Sequence, residues 1–194
     1  MGASRGVSGQ RLPMPRPVPV LEGRLVRLRP LDPQRDAPAY LAMNADEEMH
    51  SYTGNAPFGS LAEAHAELAR FAAMVDLTMW AVAEREQDQL IGRFFVCLAE
   101  RDGRLVAGEG NRIARPYWRR GHNRDARALV AEYVFGTLGA DRYETECWAE
   151  NTNSRLSILA HGFTLIETRE EYNERCGRSM TKCLFAMDRA DRSG

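Results

Sequence analysis

Lysine is nearly missing from this chain: Lys182 is the only one, and arginine carries the rest of the positive charge. The 26 basic and 27 acidic residues leave a net charge of −1, so no broad field draws the protein to nucleic acid or to an anionic membrane. No apolar run reaches the roughly 18 residues of a membrane span. The N-terminus also lacks the apolar stretch of a secretion signal, which points to the cytoplasm. Cysteine is scarce. Cys97, Cys147, Cys176 and Cys183 form no C-x-x-C pair, and no histidine stands at zinc-finger spacing from them, so no metal site is expected. Cys97 and Cys183 lie in apolar runs and are expected as reduced core thiols. The chain has neither G-x-x-x-x-G-K-[ST] nor G-x-G-x-x-G, which argues against a P-loop or dinucleotide binder. There is no internal repeat.

What is present fits one domain of 194 residues with a core of its own. Residues 1–21 are rich in Gly, Ser, Arg and Pro, have no amphipathic period, and are expected as a flexible or partly extended arm. The domain proper, 22–194, opens on Arg24-Leu25-Val26-Arg27-Leu28-Arg29-Pro30-Leu31, whose alternation predicts a strand with one wet face. Asp32-Pro33 predicts a helix start, with Pro38 in or near the first turn. Ser60-Leu61-Ala62-Glu63 is a capping box ahead of Leu68, Phe71 and Val75. Strands are expected over 79–83, 90–98 and about 105–115, with Asp102-Gly103 as a turn. Ala126, Leu129, Val130, Tyr133, Val134 and Leu138 then repeat at helical spacing and stop at Gly139. A strand over 142–148, a short helix from about Asn153 to Gly162, and strands over 163–168 and 180–187 complete the chain. The order β-α-α-β-β-β-α-β-α-β-β implies an α/β fold, a twisted mixed sheet with helices on both faces.

Two segments carry chemistry. Pro116 to Ala126 joins a strand to an amphipathic helix. A turn there leaves backbone N–H groups pointing one way, and the helix dipole adds positive charge. Gly121 permits close backbone approach, and Arg119, Arg120 and Arg124 add cations, so the loop suits a diphosphate. The second segment, Asn151-Thr152-Asn153-Ser154-Arg155, follows a strand and opens a short helix closed by His161-Gly162-Phe163. By itself it is an Asn/Ser cap with a glycine stop. His122 and His161 are expected at the surface.

Paired in this order, the two segments resemble the GNAT superfamily of N-acetyltransferases, and most closely the type that acetylates the N-terminal alanine of ribosomal proteins. The matching residues are Trp118 through Ala126 for the basic loop, and Asn151, Ser154, Arg155, Gly162 and Phe163 for the second motif. The resemblance covers about Leu21 to Met187. It implies the GNAT fold, acetyl-CoA as donor, and direct transfer to a primary amine in a ternary complex, the amine being a protein N-terminus or a small molecule. It implies cofactor contacts from Ile113, Ala114, Arg119, Arg120, Gly121, His122, Asn123, Arg124, Asp125, Asn151 and Ser154, with the Ile113 N–H facing the developing oxyanion. A homodimer is common among such proteins. Glu109, seven residues before Pro116, takes the place of the family's base; the competing expectation is a solvated glutamate at a strand start. Ile158 stands where many relatives carry a tyrosine acid, which leaves Ser154 to act on the sulfur or simply to cap the helix. Cys147 is expected near the thioester. Three departures stand out. Arg119 replaces a usual Gly, Asn123 replaces Gly or Ala and is expected to cap or turn left-handed, and Asp125 replaces Glu. They motivate the alternative of a non-catalytic acyl-CoA sensor on the same fold.

Overall fold

The computed structural model describes residues 10–52, 57–174 and 176–192. Eight strands form one sheet in the order β1-β2-β3-β4-β5-β6-β8-β7. They are β1 (Leu21–Glu22), β2 (Val26–Pro30), β3 (Thr78–Glu84), β4 (Leu90–Arg101), β5 (Arg104–Ile113), β6 (Arg142–Trp148), β7 (Thr164–Asn173) and β8 (Arg178–Asp188). The helices are α1 (Pro33–Asn44), α2 (Leu61–Ala73), α3 (His122–Glu132) and α4 (Thr152–Leu159). Every neighbouring pair is antiparallel except β5 and β6, which run parallel.

The alternation read from the sequence sorts side chains to two faces. Val26 and Leu28, Trp80 and Val82, Phe94 and Val96, Tyr143 and Phe185 form a core with Ala126 and Val130 of α3 and Ile158 of α4. On the opposite face Met79, Ala81, Cys97, Ala99 and Val106 pack with Tyr40 and Met43 of α1 and Ala64, Leu68 and Phe71 of α2. Both faces are therefore covered, which a central strand buried on each side requires. The caps form as their residue types dictate. Asp32 accepts from the N–H groups of Gln34 and Arg35 at 3.1 Å each. Ser60 accepts from Glu63 N–H, and the Glu63 carboxylate reaches back to Gly59 N–H. Cys97 and Cys183 are buried core thiols.

From Gln10 onward the arm follows the extended alternative: Met14 is buried, Leu12 N–H bonds Leu98 O at 2.7 Å, and Met14 N–H bonds Val75 O at 2.9 Å. The Trp80 indole donates to Pro19 O as well. An extended Pro-rich segment buries its few apolar side chains this way while neighbouring loops and strands serve its backbone. The first nine residues of the arm lie outside the described residues. Pro38 falls inside α1, beyond its first turn. A 3-10 turn at Glu47–His50, absent from the sequence reading, follows α1. Among the described residues no helix is long and apolar enough to cross a membrane, and no cluster of His, Cys, Asp or Glu could hold a metal ion.

Candidate active site

The one parallel pair of the sheet is short. β5 and β6 meet only at Val106–Arg142, Ala107–Tyr143 and Gly108–Glu144. Beyond Gly108, β5 stays paired to β4 through Ile113, while β6 stays paired to β8 through Trp148. The two strands thus splay into a V-shaped crevice at their C-terminal ends, where the sheet changes from antiparallel to parallel pairing. Open α/β sheets bind ligands outside the C-terminal ends of their strands. Ala114 N–H bonds Ile91 O across the β4 side. Antiparallel alternation then turns the N–H groups of Asn111 and Ile113 toward the open edge. Ile113 therefore presents its N–H to the crevice. Ala114, expected as a contact, does not, because its N–H is spent on Ile91 and its carbonyl on Tyr117 N–H.

At the mouth of the V the chain turns into α3. Gly121 is the N-cap at φ 89°, a left-handed conformation in which a glycine has no Cβ to clash, and no side chain caps the helix. The first-turn N–H groups, from His122, Asn123 and Arg124, are left at an uncapped positive helix end. Arg119, Arg120 and Arg124 are exposed around it, and among the described residues none of the three is ion-paired. Arg119 itself sits at φ 57°, the backbone state that the usual glycine would adopt, and its guanidinium reaches Asn153 Oδ1 on α4 at 3.1 Å. Bulk at this position is thus turned across the loop toward α4.

Several residues sit otherwise than expected. Asn123 neither caps nor turns left-handed. It lies inside α3 with its amide 3.4 Å from Ser157 Oγ. Asp125 faces away from the mouth: its carboxylate accepts from Leu25 N–H at 2.7 Å and Val26 N–H at 3.1 Å, and its own N–H goes to Gly121 O. It ties α3 to β2 and has nothing left to offer an anion. His122 is buried, edge-on to Tyr117, and burial with the nearby Arg120 lowers its pKa. His161 is half-buried, with its ring nitrogens 2.7 Å from Ser157 O and 3.0 Å from Arg124 O, joining α4 to α3.

Glu109 is the largest correction. It is neither solvated nor at a strand start, but central in β5 and 2% exposed. Arg127 donates to its Oε1 from Nε at 3.0 Å and from Nη2 at 2.7 Å, and the Tyr143 hydroxyl donates to its Oε2. Arg127 also reaches Ser157 Oγ on α4 at 3.2 Å. One guanidinium thereby joins β5, α3 and α4, and Tyr143 adds β6. Burial and the adjacent Glu109 push the Tyr143 hydroxyl well above its ordinary range, so it stays protonated as the donor. Sequence reasoning missed Arg127. The signal was an arginine set in the apolar stripe Ala126, Val130, Ala131, Val134, where a charge needs a buried partner.

On the other arm of the V, Asn151 caps α4: its Oδ1 accepts from Ser154 N–H at 3.1 Å. Ser154 is not the cap. Its hydroxyl contacts the Cys147 thiol, which burial pushes up to about 11. Cys147, Ser154 and Asn151 thus share the β6 side of the crevice, and Ile158 is core. The splayed strands, the uncapped helix start and the exposed arginines fit a long anionic thioester with a narrow amide-bearing arm.

Comparison with known proteins gives the class of the domain. The family model for the acetyltransferase (GNAT) domain matches residues 25–164, and the chain belongs to that family. It is an N-acetyltransferase domain whose family uses acetyl-CoA as donor. Among solved structures it is similar to a GCN5-related N-acetyltransferase from Brucella melitensis, with 27% identity and a TM-score of 0.78 over 92% of this chain and 83% of that one. It is similar in fold to Mycobacterium smegmatis RimJ in complex with CoA-disulfide, at 20% identity and TM-score 0.74, covering 90% and 89%. It also resembles the ribosomal-protein-S5-alanine acetyltransferase from Vibrio fischeri, at 15% identity and TM-score 0.71, covering 89% and 97%. No curated protein sequence matches the chain.

Proposed function

We propose that this protein transfers the acetyl group of acetyl-CoA to a primary amine, either a protein N-terminal α-amine or the amine of a small molecule, by direct attack in a ternary complex in the cytoplasm. The observation that carries this is the crevice between β5 and β6, with the uncapped start of α3 at its mouth. The first-turn N–H groups from His122 to Arg124, with Arg119, Arg120 and Arg124, hold the diphosphate. Asn111 and Ile113 offer backbone groups to the arm along β5. Asn151 has its carbonyl committed to the cap and keeps its amide N–H donors for the arm. The Ile113 N–H faces the carbonyl oxygen of the thioester as it becomes an oxyanion; a donor so placed contributes roughly 3 kcal/mol in acyl transfer. Ser154 donates its hydroxyl to the leaving sulfur. Glu109 holds the crevice in shape rather than taking the proton, because both its oxygens are engaged by Arg127 and Tyr143. Arg119 takes the left-handed conformation and directs its guanidinium to Asn153, which supports the enzymatic reading over the sensor alternative.

An α-amine is the more favoured acceptor on chemical grounds, since its pKa of about 8 leaves far more free base at neutral pH than a lysine amine near 10.4. The test is thiol release from acetyl-CoA in the presence of short peptides beginning with alanine or serine, polyamines and amino sugars. Turnover with at least one acceptor is expected. Binding of acetyl-CoA without transfer to any amine in the panel would overturn the enzymatic reading in favour of a sensor.

A further inference from the structure

With Glu109 locked, the acetyl-transfer reading lacks a proton acceptor among the residues of the α3–α4 face. The chain from Asn44 to Tyr52 is fastened to both arms of the V. On the β5 side, Arg112 Nη1 donates to Asn44 Oδ1 at 2.9 Å. On the β6 side, the Trp148 indole donates to Tyr52 O at 3.0 Å, and the Tyr52 hydroxyl donates to Glu150 O at 3.3 Å. This segment therefore spans the crevice on the α1–α2 face, away from the diphosphate mouth.

His50 sits in that span and is fully buried. Its Nε2 lies 2.8 Å from Asn44 O. A backbone carbonyl can only accept, so Nε2 must carry the hydrogen, and in the neutral ring Nδ1 is left as a bare lone pair. That Nδ1 is buried and has no protein partner. Buried polar atoms are nearly always satisfied, and the exceptions mark a ligand, a water or a catalytic task. The ring's tautomer is set by Asn44, and Asn44 is itself set by Arg112, whose pKa burial and the neighbouring Arg93 lower to about 10. Of the charged groups on the same segment, Asp46 and Glu48 are paired with Arg115, and Glu47 is exposed.

We infer that His50 is the base of the reaction, accepting the acceptor's proton at Nδ1 across one water. This rests on the acetyl-transfer reading above. The ammonium R–NH3+ gives one proton through the water to Nδ1, which makes the imidazolium. The freed nitrogen lone pair forms the C–N bond at the thioester carbon, and the carbonyl electrons move to oxygen beside the Ile113 N–H. Collapse of the adduct restores the carbonyl and breaks the C–S bond. The second proton on nitrogen passes by way of Ser154 to the thiolate. The products are the N-acetyl amine and the free thiol, and the proton on His50 returns to solvent.

The test uses the full chain and His50→Gln. Glutamine keeps an N–H donor for Asn44 O but has no imidazole lone pair, so a purely structural tether survives the change. With an N-terminal-alanine peptide, or whichever amine of the panel the parent acetylates, H50Q should lower kcat about a hundredfold while leaving the KM for acetyl-CoA nearly unchanged. Nitrogen NMR of the histidine rings, with H50Q supplying the assignment among the four histidines, should show His50 protonated at Nε2 and bare at Nδ1. The Nδ1 resonance should shift when peptide and CoA are added together. Parental turnover by H50Q, a proton on Nδ1 in the resting enzyme, or an Nδ1 signal unmoved by the ligands would each overturn the role of His50 and leave acetyl transfer standing. If H50Q does not fold, the two NMR measurements on the parent decide, with the resonance assigned through a bond-correlation experiment. If the parent acetylates no amine, both readings fall together.

Discussion

Replacing Arg127 with methionine tests whether the acidic residue beside the crevice is an anchor. Methionine keeps much of the length and the apolar stem of arginine but none of its charge. The change removes both guanidinium bonds to Glu109 Oε1, at 3.0 and 2.7 Å, and the 3.2 Å bond to Ser157. The two side chains are 2% and 0% exposed, so water cannot replace the lost partner. Removing one member of a buried pair strands the other charge, which costs about 3–5 kcal/mol. For a chain of this size, each kcal/mol moves the melting temperature by roughly 2–4 °C, so a fall of roughly 6–20 °C is expected. The double variant R127M/E109M strands no charge and should recover much of that loss. Thermal unfolding with and without CoA reads the outcome. The anchor also joins β5, α3 and α4, so R127M assayed well below its melting point should raise the KM for acetyl-CoA more than it lowers kcat. A variant that melts within a degree or so of the parent would refute the buried pair. An E109Q variant with parental melting temperature and KM but a collapsed kcat would instead restore Glu109 as the base.

Gly121→Val should weaken CoA binding roughly five- to thirtyfold by calorimetry: a β-branched residue at φ 89° is strained by roughly 1–2 kcal/mol, and its Cβ would lie 3.2 Å from Leu25 Cδ1. Unchanged affinity would show that the α3 start does not hold the diphosphate. Asn151→Ala should cost about 1 kcal/mol of stability through the lost cap and raise the KM for acetyl-CoA, whereas Ser154→Ala should spare the cap and mainly lower kcat by a modest factor. Equal kinetic effects from the two would contradict this division of labour. Asp188, bonded by Arg142 and Arg104, has its pKa held below the ordinary 3.8 chiefly by the Arg142 hydrogen bond. Its stabilisation is therefore present above that ordinary value and is lost as pH falls through the folded-state value. The gap in melting temperature between parent and Asp188→Asn should be widest at neutral pH and close in acid; a gap independent of pH would rule the ion pair out as its source.

Much of this molecule is written locally. The period-two runs around Val26, Trp80, Phe94 and Tyr143 determine strands and their buried faces, because side chains alternate along a pleated backbone. The spacing of Ala64, Leu68 and Phe71 determines the face of α2, and Asp32 and Ser60 mark helix starts by chemistry confined to three or four residues. The loop before α3 and the Asn151 motif were legible for the same reason: a helix start or a cap is made by adjacent residues. The roles of single side chains were not legible, since they depend on what lies opposite. Glu109 occupies the family's acidic position in sequence, yet its partners come from 18 and 34 residues away. Asp125 looks like part of the anion loop until β2, a hundred residues earlier, brings Leu25 and Val26 N–H to its carboxylate. His50 reads as one polar residue in a polar stretch, and only the fold buries it and fixes its proton. The sequence alone determined the elements and the class of fold, because backbone preference and apolar period act over short range. Tertiary structure decided which ionisable groups are free to react, because burial and pairing belong to residues that meet only when the sheet closes.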